Sequence, residues 1–320
     1  MNRLIRFLSI SMLAVMLLSS CNSGSGNADG TTTTTTTTTT EQKITAVSPL
    51  ENYNEAAEIT VEYEGESATG NGSAELALTK TYATGKKITV TIPETQNFIA
   101  ITIAKNVLDE SYVYVTGGKF EYRVPSLDRS YPADLKNKNS TISVRIPTVE
   151  ELTTKHNLAL NTCDLLNAKN AFPHATTTNV HNNDAEWMAR NAIDGFTQNN
   201  GHGTFPYQSW GPGSTMSPND EFKIDFGHDV VVSELSITIR ADFAQDHDGY
   251  WNKCRVYFSD GTYQEINLTD SAKPQKIAIE GGEKITSYVS FKRFTKADKT
   301  KEWCAWMEVK VNGTEISPNK

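Results

Sequence analysis

At 320 residues the chain is too long for one ordinary sandwich and suits two domains. Its formal net charge of −8, from 30 Lys and Arg against 38 Asp and Glu, excludes an ordinary nucleic-acid binder, because phosphate contacts need clustered cations. Four cysteines, none with zinc-finger spacing to a second Cys or to His, argue against a structural zinc site.

The N-terminus carries a targeting segment. Arg3 and Arg6 precede an apolar stretch over residues 7–18, too short to span a bilayer but of the length of a signal-peptide core. Leu18-Ser19-Ser20-Cys21 then places small residues before a cysteine, which resembles the lipobox of bacterial lipoproteins. That resemblance implies removal of residues 1–20 and a lipid on the Cys21 sulfur, with a plain secretory signal as the alternative. The expected protein is anchored rather than spanning, since nothing later in the chain is apolar enough to cross a membrane. Loss of Arg3 and Arg6 would take the net charge to about −10. Residues 21–42 form a tether of Ser, Gly and Asn leading into ten threonines at positions 31–40. Having no large apolar side chain to bury, the threonine tract is expected to stay extended and solvated, with a reach of roughly 30 Å.

Residues 43–150 read as an all-β sandwich that acts as a spacer. Apolar and polar residues alternate over 59–64, 88–92, 98–103, 112–115 and 141–146, and Gly70-Asn71-Gly72, Gly117-Gly118 and Asn137-Lys138-Asn139 supply turns. Residues 147–155 are a connector with room for one helical turn, and residues 151–320 make a second β-rich domain. There, Trp187, Met188 and Ala192 are spaced for one face of a short helix over 185–193. Strands are expected over 221–226, 230–239, 254–258, 262–268, 275–279, 288–294 and 305–311, with Ser259-Asp260-Gly261 as a tight hairpin. Seven or eight antiparallel strands and one short helix suggest a jelly roll. Of the cysteines beyond Cys21, an exported protein could pair Cys254 or Cys163 with Cys304, and spacing does not choose.

The most informative run is Ala189-Arg190-Asn191-Ala192-Ile193-Asp194-Gly195, which feeds a Gly-, Asn- and aromatic-rich loop ending at Ser209-Trp210-Gly211. A loop that polar loses backbone entropy on ordering, and a hard cation held by carboxylate, amide and carbonyl oxygens could compensate. A plain Asp-Gly turn is the simpler reading of Asp194-Gly195 alone.

The order of motifs carries a resemblance. Asn157-Leu158-Ala159-Leu160 opens the domain, and Asn191-Ala192-Ile193-Asp194-Gly195, Ser209-Trp210 and Lys223-Ile224-Asp225-Phe226-Gly227 follow. A strand over 235–240 comes next, and Met307-Glu308-Val309-Lys310-Val311-Asn312-Gly313 closes the series. Over roughly residues 157–314 this resembles discoidin-like, coagulation-factor type C domains and family-32 carbohydrate-binding modules, which share a galactose-binding jelly roll. From about residue 98 onward the chain also looks like a bacterial arrangement in which a small β-domain precedes such a module. The resemblance implies a structural calcium ion bound by Asp194 and Glu308, with the Asn191 carbonyl and Asn199 as further oxygens, although the loop after Gly195 is longer than the family's. It implies a core role for Trp210 and a glycan held by end loops.

The candidate ligand residues in those loops are His174, His202, Arg240, Asp242, Asp248, Tyr250 and Trp251, with Phe205 and Tyr207 on the rim. An aromatic ring stacks on the C–H face of a sugar, while Arg, Asp, Asn and His bond its hydroxyls in fixed directions. Arg240 beside Asp242 suits a bidentate fork and Trp251 or Tyr250 the platform; a mutual ion pair and a core ring are the structural alternatives. The expectation is a lipid-anchored, non-catalytic glycan-binding protein of the bacterial cell envelope, in the outer membrane or at the surface, without nucleic-acid partners. The membrane contact is through the N-terminal lipid alone. The alternatives are an adhesion module for envelope or host proteins and, further off, a glycoside-active enzyme using Asp242, Asp246 and Asp248 beside His247.

Overall fold

Alternation of buried and exposed side chains builds most of the strands. The computed structural model describes residues 46–125, 129–201, 203–213, 216–217, 219–241 and 249–318, which belong to the unit Thr45–Lys320. In the first half lie β1 (Glu58–Tyr63), β2 (Glu66–Asn71), β3 (Ser73–Ala77), β4 (Lys87–Thr91), β5 (Phe98–Thr102), β6 (Ser111–Val115) and β7 (Lys119–Arg123). After them come α1 (Asp134–Asn137), β8 (Thr141–Arg145) and α2 (Val149–Thr153). The sheet β2-β1-β4-β7 faces a second sheet that holds β6, β5, β8 and β3, and Ile59, Val61, Ile88, Val90, Phe120 and Tyr122 fill the space between. The α2 turn is opened by a capping box in which Thr148 and Glu151 exchange side-chain and backbone hydrogen bonds.

The second half contains β9 (His156–Asn157), β10 (Ala171–Phe172), β11 (His174–Thr177), β12 (Phe222–Ile239), β13 (Trp251–Phe258), β14 (Tyr263–Asn267), β15 (Gln275–Ala278), β16 (Lys284–Lys296) and β17 (Trp306–Glu315). The order β14-β13-β16-β12-β17-β9 is extended by β11 and β15, both on β12, and all the listed pairings are antiparallel. Its core is aromatic: Trp210, Trp251, Trp306, Phe222 and Phe291 are each under 2 % exposed. Ring centroids of Trp210 and Trp251 lie 5.3 Å apart, and those of Trp251 and Trp306 5.7 Å. The all-β class expected from sequence is the observed one, and Trp210 is a core residue as expected.

Several expectations are corrected. Gly70-Asn71-Gly72 is not a free-standing turn: β2 runs to Asn71 and β3 starts at Ser73, with Gly72 (φ +72°) alone making the joint. The small polar residues of β2 gave no alternation, so pairing with β1, rather than local pattern, makes it a strand. The single short helix over 185–193 is instead two 3₁₀ turns, Ala185–Trp187 and Ala189–Ala192, because Met188 is extended (ψ 154°). The two strands expected over 221–239 are one strand, β12, whose register with β16 shifts between Asp225 and Val230 around Gly227 (φ +74°). Cys163, Cys254 and Cys304 are all buried free thiols, so neither disulfide pairing is formed.

A division at 150/151 does not separate the packing. Cys163 and Ala171 lie in the first core, Phe196 packs against it, and β10 pairs with β6 through Ala171–Val115 and Phe172–Tyr114. Among the described residues no helix is long and apolar enough to cross a membrane. Cys21 and the tether lie outside the described residues.

Candidate functional site

The second sandwich has an end pocket of about 390 Å³, lined by His181, Asp184, Glu186, Trp187, Gly211, Gly213, Arg240, Trp303, Cys304 and Ala305. Four separate stretches meet there: the 3₁₀ turns after β11, the loop before β12, the exit of β12, and the loop before β17. They are knitted by backbone bonds, His181 N–H to the Gly211 carbonyl (2.9 Å), Gly211 N–H to that of Trp187 (3.2 Å) and Arg240 N–H to that of Ala305 (2.9 Å).

Trp303 is the exposed aromatic of the pocket, 39 % accessible and held at φ +61°, a left-handed conformation that bulky residues rarely adopt. Its ring stands edge-on to His181 with centroids 4.7 Å apart. Arg240 is 2 % exposed; its guanidinium lies 5.2 Å from the Trp187 ring centre and donates to the Trp303 carbonyl at 3.4 Å. On the acidic wall, Asp184 caps the Ala185–Trp187 turn by accepting from the Ala185 N–H, and the Glu186 side chain is 8 % exposed. Burial pushes the Glu186 carboxyl upward, with Asp184 adding to it and Arg129 and His181 opposing. Gly213 (φ +86°) keeps the floor open, since a Cβ there would come within 2.9 Å of His181 Nδ1. Burial also pushes the Cys304 thiol up to about 11, so it stays protonated near neutral pH. An aromatic face, a guanidinium, an imidazole and carboxylates around one cavity can stack on an apolar ring face and bond its hydroxyls.

Among the sequence-predicted ligand residues, Arg240 is in this pocket. Trp251 is not a platform: it is 1 % exposed in the aromatic core, and Tyr250 packs half-buried against the same core. His174 is likewise structural, since its Nδ1 meets the buried Asp164 Oδ1 at 2.7 Å and β11 carries it against β12. His202, Asp242 and Asp248 lie outside the described residues, as do Asp246 and His247. Phe205 stacks edge-on against Phe196, centroids 4.8 Å apart, and neither it nor Tyr207 lines the pocket. Sequence reasoning missed Trp303, His181 and Glu186. The available signal for Trp303 was an aromatic between Glu302 and a buried strand, in a charged run where no core residue belongs.

The expected metal residues partly converge. Asp194 and Glu308 are buried at 3 % and 0 % exposure, and both belong to one cluster with Gln208. Asp194 Oδ1 accepts from the Phe196 N–H (3.0 Å), its Oδ2 from Gln208 Nε2 (2.8 Å), and Glu308 Oε2 from the Gly195 N–H (3.2 Å). Glu308 Oε1 and Gln208 Oε1 are buried without a hydrogen-bond partner. Burial lifts the Asp194 carboxyl to about 7, and burial plus the Asp194 charge holds the Glu308 carboxyl well above its usual range. Asn199 does not turn its amide oxygen to this cluster: Oδ1 accepts from the Ala241 N–H and Nδ2 donates to the Ile239 carbonyl. The Asn191 side chain is also engaged, donating to the Ala185 carbonyl and accepting from Arg190. Among the described residues no three His, Cys, Asp or Glu side chains group as metal ligands, so any cation would need amide and carbonyl oxygens beside the two carboxylates.

No family model matches the chain, and no curated protein does. Solved structures similar to it include the following three modules. Chitosan-binding module 1 of a chitosanase/glucanase from Paenibacillus sp. is 16 % identical, covering 50 % of this chain and 100 % of that one at a TM-score of 0.34. A Streptococcus pneumoniae fucose binding module is 16 % identical, with 49 % and 96 % covered and a TM-score of 0.33. The family 32 module of NanJ from C. perfringens, determined in complex with galactose, is 14 % identical, with 43 % and 91 % covered and a TM-score of 0.32.

Proposed function

We propose that the protein is a non-catalytic carbohydrate-binding protein whose glycan sits in the end pocket of the second sandwich. The observation that carries this reading is Trp303, an exposed ring in a strained backbone conformation at the mouth of a pocket walled by Arg240, His181 and Glu186. The ring offers stacking area at small entropic cost, and the polar wall offers directional bonds to hydroxyls. Shallow sugar sites bind weakly one at a time, and a tether on a surface converts repeated weak contacts into avidity. In this reading Cys21 carries the lipid and the acceptor surface is the bacterial cell envelope.

Calcium belongs to the same proposal. The orphaned Glu308 Oε1 and Gln208 Oε1, beside two carboxylates whose charged forms burial disfavours, fit a hard cation that supplies the missing partner and charge. Asp194 and Glu308 would hold it and Gln208 would contribute an oxygen; its contribution is stability by linkage, not chemistry.

The test is a glycan array with the full mature chain, followed by calorimetry on the hits with Trp303→Ala and His181→Ala. Loss of binding in both variants, with melting temperatures kept, is expected. Binding that survives both would remove the pocket from consideration. A blank array with retention of purified envelope proteins would favour the adhesion reading instead.

A further inference from the structure

The acidic wall of the end pocket is not held by its own domain. Arg129, between β7 and β8 of the first sandwich, places Nη2 at 2.6 Å from Glu186 Oε1 and Nη1 at 3.4 Å from each Asp184 carboxylate oxygen. The adjacent Ser130 Oγ donates to the Ala185 carbonyl at 2.6 Å, so two consecutive residues grip the 3₁₀ turn that carries Glu186. On the far side, the Arg129 carbonyl accepts from the Phe205 N–H. The consequence is asymmetric for Glu186: Oε1 is paired, while Oε2 is buried without a partner in a side chain only 8 % exposed. Oε2 is turned toward Gly203, where a Cβ would meet it at 3.2 Å, so Arg129 on one oxygen and burial on the other fix the carboxylate that lines the cavity.

We propose that Arg129 is a positioning residue of the sugar pocket: from the first sandwich it fixes the Glu186 carboxylate on the pocket wall as an acceptor for a glycan hydroxyl. This rests on the pocket reading above. The first sandwich is then part of the binding site and not only a spacer. Arg129, Asp184 and His181 are the charged groups acting on Glu186. Burial already favours its protonated form, and Arg129 is the partner that opposes this most. Removing Arg129 therefore raises the pH below which Glu186 stops accepting.

The experiment uses the full mature chain and the probes methyl β-galactoside, methyl α-fucoside and methyl β-glucosaminide. With the probe that binds, Arg129→Ala is expected to weaken affinity about tenfold or more, as for loss of a charge-held hydrogen bond. It is also expected to move the acid limb of binding to higher pH, while Arg129→Lys restores most of both. A merely structural arginine would not move that limb. A sugar-free readout is the carboxyl titration of Glu186 by NMR, whose midpoint is expected to rise in Arg129→Ala; an unchanged midpoint overturns the proposal. Binding lost in Trp303→Ala but intact in Arg129→Ala at every pH overturns this inference and leaves the pocket standing. If none of the probes binds the unaltered chain, both fail.

Discussion

Trp303 and Trp251 are the same residue type in the same domain, yet one is 39 % and the other 1 % exposed. Packing separates them: Trp251 opens β13 and is drawn in by Trp210 and Phe294, whose rings lie 5.3 and 4.8 Å away. Trp303 precedes β17 in a loop that turns through a left-handed φ and leaves the ring outside. Asp194 and Glu308, by contrast, were paired before the fold was known by what the family resemblance implies. Their prediction is direct. Calcium at a hundredfold over its Kd should add about 2.7 kcal/mol, a shift of several degrees in Tm, and Glu308→Gln should abolish that shift. In chelator the variant should melt at or above the unaltered protein, since it replaces a carboxyl whose charged form burial and Asp194 disfavour. Coincident melts of the unaltered chain in calcium and in chelator would dispose of the metal.

At the level of elements, the strands with strict alternation were readable and the shared ones were not. β4 and β8 sit within a residue or so of their expected bounds because half-buried strands impose period two on their own sequence, and β5, buried along its whole length, is legible as a short apolar run. β2 and β10 have no such pattern: β10 is two residues long, and pairing with β6, more than fifty positions earlier, is what orders it. That pairing also joins the two halves. Thr162 N–H donates to Ser111 Oγ (2.9 Å), Arg190 lies over the Tyr131 ring (4.3 Å), and Tyr114 stacks on His228 (4.2 Å). A fragment of residues 151–320 would expose Cys163, Ala171 and Phe196, which normally pack in the first core. It should therefore unfold at clearly lower temperature than the whole chain, or fail to give a soluble monomer. A fragment with the Tm of the intact protein would show that these contacts contribute nothing.

On the scale of the whole molecule, β17 sets the direction. Its first residue, Trp306, follows the pocket residues Cys304 and Ala305, and just beyond its other end the Ile316 carbonyl accepts from Ser48 Oγ (2.6 Å). Ten strand residues span roughly 33 Å, so the described chain begins at the end of β17 remote from the pocket. The stability of the whole should also carry a pH signature from His174. Burial lowers its affinity for the proton, but the Asp164 hydrogen bond and the Asp164 and Asp225 charges outweigh that and the opposing Lys223, leaving the folded value raised. A raised value means stability fully present below the ordinary histidine range of about 6.5 and lost as pH rises through the folded value. His174→Gln should flatten the fall in Tm on the alkaline side and lower Tm most at acid pH. An identical Tm-against-pH slope in variant and parent would contradict this.

By itself the sequence determined the all-β class and the order of most strands, which are written in local period and turn chemistry. The core place of Trp210 and the pairing of Asp194 with Glu308 were what the family resemblance implied, carried by motif order. Only the tertiary structure decided that Trp303 and not Trp251 is exposed, that His174 is buried against Asp164, and that Arg129 of the first sandwich braces Glu186 of the second. Those outcomes depend on burial and on tertiary side-chain contacts, and neither leaves a periodic trace in the segment that carries it.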